Sequence, residues 1–186
     1  LNMEGFSFAE LGLGFDLDRI LEWGTLPMVW REPREAARIL QAYVHTYIQE
    51  EVKAEGIIRQ AAPFVRFLAV AGLMNGQTVN AANISRDAAV PRASVDAYFS
   101  ILVDTLLGHF LPAYQPGLKV RERSHPKFYW FDAGIARAAA GLLHDPPDRT
   151  WRGFSLETLI FHELRVHNEI AGKYRLIAYY RTAAGA

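Results

Sequence analysis

Cysteine is absent from the chain. Disulfides, thiol catalysis and thiolate zinc sites are thereby excluded, and a reducing compartment, the cytoplasm, fits. Net charge is absent as well, since 20 Lys and Arg balance 20 Asp and Glu. No global field draws the chain onto nucleic acid or an anionic membrane, so any such contact has to come from a local patch. Long apolar runs are missing too. The longest, residues 61–74, is broken by Arg66 and falls short of the ~20 residues that span a bilayer. The first residues lack the basic-then-apolar pattern of a secretion signal. Gly12-x-Gly14 lacks the further glycine, the lysine and the Ser or Thr of a phosphate loop, which leaves a flexible joint as its reading. His162, Glu163 and His167 imitate a zinc-protease motif, but the histidines stand at i and i+5. That motif needs i and i+4 to keep both imidazoles on one helical face.

What is present is a chain of 186 residues, 51% hydrophobic and 22% charged, enough for one domain or two small ones with a real core. Its most organised stretch is 64–114. Phe64, Phe67, Leu68, Ala71 and Met74 follow a helical period, and Asn75-Gly76 stops it. A short helix follows, with Asn80 or Asn83 as its N-cap and Ile84 and Ala88 facing inward. A third helix begins at Pro91. Val95, Tyr98, Phe99, Leu102 and Leu106 lie on its inner side, and Arg92, Ser94, Asp96, Ser100 and Asp104 on its outer side. Helix, short helix, tight turn, longer helix and strand is the pattern of a winged helix-turn-helix.

Upstream, 16–23 reads as a short helix stopped by Gly24, after which Thr25-Leu26-Pro27 directs an extended path. Residues 35–60 read as the longest helix, with Tyr43 and Tyr47 in its core stripe. Downstream, 111–114 and 118–122 read as a hairpin around Gln115-Pro116-Gly117, the wing. Lys119, Arg121 and Arg123 alternate, so a strand places them on one face, and His125 and Lys127 continue the parity. The stripe reads either as phosphate contact by the wing or as an edge strand protected by charge. Residues 126–132 read as an apolar strand, 135–143 as a small-residue helix and 145–148 as a linker. A last helix is expected from Gly153 to about 170, and a closing strand at 174–181. The tail after Tyr179 reads as a strand without a partner, which is the expectation for a piece of a longer protein.

Two groups of acids bear on function. Glu157 shares a helical face with Phe154, Ile160, Phe161 and Leu164. A carboxylate on such a face is either a partly exposed acid near a helix start or a group held by a cation or metal. Asp96 and Asp104 lie outward on the third helix of the 64–114 stretch, where a DNA major groove presents phosphate repulsion. Only Arg86 and Arg92 offset them nearby.

Several segments in order resemble the C-terminal half of a family of prokaryotic AAA-type ATPases carrying a domain of unknown function of the DUF4143 type. They are Phe6-Ser7-Phe8-x-Glu10-Leu11, Trp23-Gly24-x-Leu26-Pro27, Tyr43-Val44-x-x-Tyr47-Ile48-x-x-Glu51-Val52, Phe64-x-Arg66-Phe67-Leu68, Val95-x-x-Tyr98-x-x-Ile101-Leu102-x-Asp104-Thr105, His125-Pro126-Lys127-x-Tyr129-x-x-Asp132-x-Gly134 and Gly153-Phe154-x-x-Glu157. Ala89-Val90-Pro91 departs from it, since that turn more often carries Gly-Val-Ser. The resemblance implies a mainly α fold with α+β elements, a winged helix-turn-helix followed by the start of an α/β nuclease-like fold. It divides the chain into a linker from an upstream ATPase core (1–33), a helical and winged-helix domain (34–124) and the truncated nuclease-like part (125–186). The expected partners are the ATPase domain and nucleic acid, with no membrane. Nucleic acid would be met by Arg86, Arg92, Lys119, Arg121 and Arg123. ATP and Mg are expected of the full-length protein and no cofactor of this chain. The chain itself is expected to be non-catalytic, with Glu157 a metal ligand only in a completed fold. The alternatives are a protein-interaction scaffold on the ATPase domain, or part of a metal-dependent nuclease.

Overall fold

The computed structural model describes residues 5–48, 61–114 and 125–180. Short helices come first: α1 (Phe8–Leu11), α2 (Leu17–Trp23), α3 (Pro27–Arg31) and α4 (Ala36–Ala42), which widens into a π turn at Tyr43–Ile48. Then come α5 (Ala61–Leu73), α6 (Ala81–Ala88), α7 (Arg92–Asp104), β1 (Gly108–Leu111), β2 (Lys127–Trp130), α8 (Ala133–Ala139) and α9 (Arg149–Ile170). The architecture is mainly helical with a small antiparallel sheet, as the α and α+β expectation has it.

Local chemistry explains most of the boundaries. Asp16, Asn80, Asp132 and Asp148 each cap a helix with a side-chain oxygen that accepts a backbone N–H. Ser7 and Glu10 form a reciprocal capping box on α1. Several boundaries differ from expectation, among them the strand expected at 111–114, which forms at Gly108–Leu111 and pairs with β2. Pro27 opens α3 as its first residue rather than continuing an extended path, because proline's missing N–H costs nothing there. Asp148 starts α9 a turn before Gly153, so 145–148 is a turn and cap rather than a linker.

The main core gathers Phe64, Phe67, Leu68, Ile84, Val95, Phe99, Leu102, Phe128, Trp130 and Ile135. Phe99 stacks edge-on with both Phe67 (4.9 Å) and Phe128 (4.8 Å), which ties α5, α7 and β2 together. Leu106, expected inside with these, is turned out at φ 61° and is largely exposed. β1 and β2 pair antiparallel, Gly108 opposite Trp130 and Leu111 opposite Lys127. Residues 76–79 add to the other edge of β2. Gly76 N–H donates to Phe128 O (2.8 Å), Phe128 N–H to Gln77 O (3.1 Å) and Val79 N–H to Pro126 O (2.9 Å).

The expected closing strand 174–181 is reduced, among the described residues, to one parallel bridge of Tyr179 with Ala113. Tyr179 N–H donates to Pro112 O and Tyr114 N–H to Tyr179 O. Pro112 has no N–H to donate one rung earlier, so the ladder does not extend toward β1. The expected wing strand at 118–122 lies outside the described residues.

Residues from 1–33 pack directly on α8. Gly24, at φ 77°, lies so close to Asp132 that a Cβ there would sit 2.1 Å from a carboxylate oxygen. Arg137 of α8 is buried and donates to the carbonyls of Glu22 (3.1 Å) and Asp145. Gly72 lets α5 approach α8, since a Cβ would meet Ala136 O at 2.6 Å.

Candidate functional site

The surface expected to form a helix-turn-helix is built from α5, α6 and α7. Ala89 takes a left-handed conformation (φ 51°, ψ 51°) that reverses the chain between α6 and α7. Arg66 of α5 pins this turn, donating to Ala88 O (3.0 Å) and Ala89 O (3.2 Å). Ser85 Oγ donates to Val90 O at 2.6 Å. The residue that breaks the apolar run of α5 is therefore the one that fixes the turn.

Arg86 and Arg92 are exposed on either side of the turn. Arg86 Nε lies 3.1 Å from Asp87 Oδ1. Arg92, Asp96 and Ser100 share one face of α7 and line a groove of about 570 Å³ with Asn80, Phe110 and His125. Asp104 is exposed further along α7. Around Arg86 and Arg92 this surface thus carries three carboxylates. Lys119, Arg121 and Arg123 lie outside the described residues. Lys127 leaves the basic parity series, because its ammonium turns onto α9.

There it meets Glu157. Lys127 Nζ and Tyr129 Oη each stand 2.8 Å from Glu157 Oε2 and donate to it. Burial, followed by the carboxylate it donates to, drives the Tyr129 phenol well above its ordinary pKa. Tyr179 Oη donates to His125 O at 2.6 Å. Glu157 faces β2, paired with the Lys127 ammonium, and its side chain remains about half exposed. Among the described residues no three His, Asp or Glu side chains are placed to hold a metal.

The buried face of α9 matches expectation at Phe161 and departs from it elsewhere. Trp151, Ser155, Thr158, Phe161 and His162 are buried, while Ile160 and Leu164, expected inside, are exposed together with Leu156. Asn75 accounts for this. Its amide donates to Thr158 Oγ1 (2.9 Å) and its carbonyl accepts the Trp130 N–H (2.9 Å), so it bridges α9 to β2. In sequence Asn75 carries only a stop signal, and the small polar stripe Ser155–Thr158–His162 was the available clue.

Asp132 is the other residue that sequence reasoning left without a role. It is buried and accepts the Thr25 N–H (2.6 Å), the Thr25 hydroxyl (3.2 Å) and the Ile135 N–H (3.0 Å). Burial pushes its carboxyl above the usual range, and those donors offset the shift in part. The cavity beside it, lined also by Ser155, Thr158 and His162, measures about 10 Å³. That is room for about one water and for no substrate.

Residues 14–145 match the model of a family described as a domain of unknown function, DUF8612. The chain belongs to that family. The match covers α2 through α8 and ends before Glu157 and α9. This bears out a domain of unknown function, though the matching family is DUF8612 rather than the DUF4143 type, and its description names no ATPase. No curated protein and no solved structure matches the chain.

Proposed function

We propose that the chain is a non-catalytic winged helix-turn-helix module that engages the nucleic-acid backbone rather than the bases. The observation that carries this reading is topological. α5, the 76–79 segment, α6, α7, β1 and β2 follow one another in chain order, with 76–79 and β1 hydrogen-bonded to opposite edges of β2. Arg86 and Arg92 flank the turn, and Lys119, Arg121 and Arg123 follow in the wing segment. Asp96 and Asp104 argue against base reading, since carboxylates repel the phosphates lining the groove. By resemblance, the module serves an AAA-type ATPase that binds ATP and Mg.

Fluorescence anisotropy with DNA at low salt tests the proposal. Binding is expected to tolerate sequence change and to weaken with salt at a shallow slope, as few phosphates are contacted. Alanine at Lys119, Arg121 and Arg123 together should abolish it. No binding to single- or double-stranded DNA, or binding unchanged in the triple variant, ends the proposal. Metal-dependent cleavage that is lost in Glu157→Gln would instead make the chain a nuclease.

A second reading, a protein-interaction scaffold, is favoured by the exposed Leu156, Ile160 and Leu164. Exposed apolar stripes of this kind mark contact surfaces. Under this reading the chain co-purifies with its ATPase domain, and serine at these three positions breaks the association while DNA binding is unaffected.

A further inference from the structure

Asn75-Gly76 is the one Asn-Gly step in the sequence. Such a step carries its own reactant. The backbone nitrogen of the glycine attacks the side-chain carbonyl carbon of the asparagine, and no Cβ on the glycine hinders the approach. The side-chain nitrogen leaves as ammonia and a cyclic imide forms. Water then opens the imide at either carbonyl, giving aspartate or isoaspartate.

In the folded chain both reacting groups are tied down. Asn75 is buried, its amide donates to Thr158 Oγ1 of α9 (2.9 Å), and its side-chain oxygen accepts the Trp130 N–H (2.9 Å). The attacking group, the Gly76 N–H, donates to Phe128 O at 2.8 Å. Phe154 of α9 covers the step, 3.1 Å from where a Cβ on Gly76 would stand. α9 is thus the lid over Asn75-Gly76, and it is held thinly. Of its buried residues only Trp151 and Phe161 are apolar. Phe161 packs with Leu111 and Tyr129 in a small cluster apart from the main core. The bonds from Lys127 and Tyr129 to Glu157, from Phe8 N–H to Glu163 and from Arg152 to Asp18 lie at or near the surface. An element with few buried apolar contacts opens before the whole fold does.

We infer that Asn75-Gly76 is a self-modification site, shut while α9 is docked on β2 and opened by its release. The reaction runs one way. A carboxylate at position 75 has no hydrogen to donate to Thr158 Oγ1, and burying its charge opposes the return of α9. The inference is independent of nucleic-acid binding, because it involves neither the α6–α7 turn nor the wing segment.

The test incubates the full chain at mildly alkaline pH and reads aspartate and isoaspartate at each asparagine by peptide mapping. Unfolded in urea, the chain should convert Asn75 ahead of its other asparagines, none of which precedes glycine. The folded chain should convert Asn75 far more slowly than the unfolded one. Thr158→Val should speed the folded reaction about tenfold, the effect of leaving one buried donor unmatched. Thr158→Ser keeps the hydroxyl and should restore the slow rate. Val95→Ala, which loosens the core at α7, should leave the rate unchanged. If Thr158→Val does not fold, hydrogen exchange on the unsubstituted chain decides. Asn75 should then be protected about tenfold less, or weaker still, than the slowest amides of α5 and α7. Equal rates in the folded and unfolded chains, no acceleration in Thr158→Val, equal acceleration in Val95→Ala, or protection equal to that of those amides would overturn the inference.

Discussion

At Glu157 two donors converge on one carboxylate oxygen, and the partner it lacks in the sequence arrives from β2. Lys127 is three-quarters buried by its side chain while Glu157 is about half exposed. The pair is therefore screened on one side only. Glu157→Gln should cost about 0.5–1 kcal/mol in chemical denaturation, since glutamine still accepts from Tyr129 and only the ionic part is lost. A loss well above 2 kcal/mol would mean that the charge pair is far better shielded than its exposure indicates. Lys127 and Tyr129 both donate to Glu157 Oε2, so a metal bound through that oxygen would have to displace them.

The elements are cut out by their caps, and one cap is chemically imperfect. Ala89 holds a left-handed conformation that suits glycine, and its own side chain is exposed. Ala89→Gly should therefore stabilise the chain by about 0.5–1 kcal/mol, as the relief of backbone strain outweighs the added freedom of the unfolded chain. Thermal unfolding measures this, and an unchanged or lowered midpoint would refute it. The same element shows why the surface was legible. Asn80, Ile84, Ala88, Val95, Phe99 and Leu102 announce two amphipathic helices, the first of them capped, through their spacing alone. α9 was not legible in this way. Its apolar residues Leu156, Ile160 and Leu164 also keep helical spacing, yet the buried face is the one carrying Trp151, Ser155, Thr158, Phe161 and His162. Spacing reveals that a helix has faces, and the neighbour decides which face is covered.

Across the molecule, Asp132 joins the N-terminal turn to α8 and hence to α5 and the core. Asp132→Ala leaves the buried Thr25 and Ile135 N–H groups without their acceptor and should cost about 1–3 kcal/mol. The pH dependence has a definite sign. Because the folded carboxyl titrates above its ordinary value of 3.8, the folded state holds the proton more tightly than the unfolded one. The contribution of Asp132 to stability is thus fully present below that ordinary value and declines as pH rises through the raised folded value. The stability gap between the parent chain and Asp132→Ala should widen as pH is lowered through this window. Denaturation curves at several pH values measure it, and a gap that narrows on acidification would contradict the assignment.

Helix positions, caps and the α6–α7 turn follow from the sequence because they depend on contacts within a few residues: an Asx oxygen with the N–H two or three positions on, or apolar side chains a turn apart. The exclusions follow as well, since no fold creates a thiol or a net charge that the composition lacks. Tertiary structure alone decided that Lys127 leaves the basic series for Glu157, that Asn75 bridges β2 to α9, that Gly24 seats Asp132, and that α9 turns its polar stripe inward. Each of these joins residues from 30 to 108 positions apart in the chain. Nothing in the local pattern encodes such a pairing. It arises only when packing brings the two segments together, and for Asn75 a buried donor and acceptor then remove each other's desolvation cost.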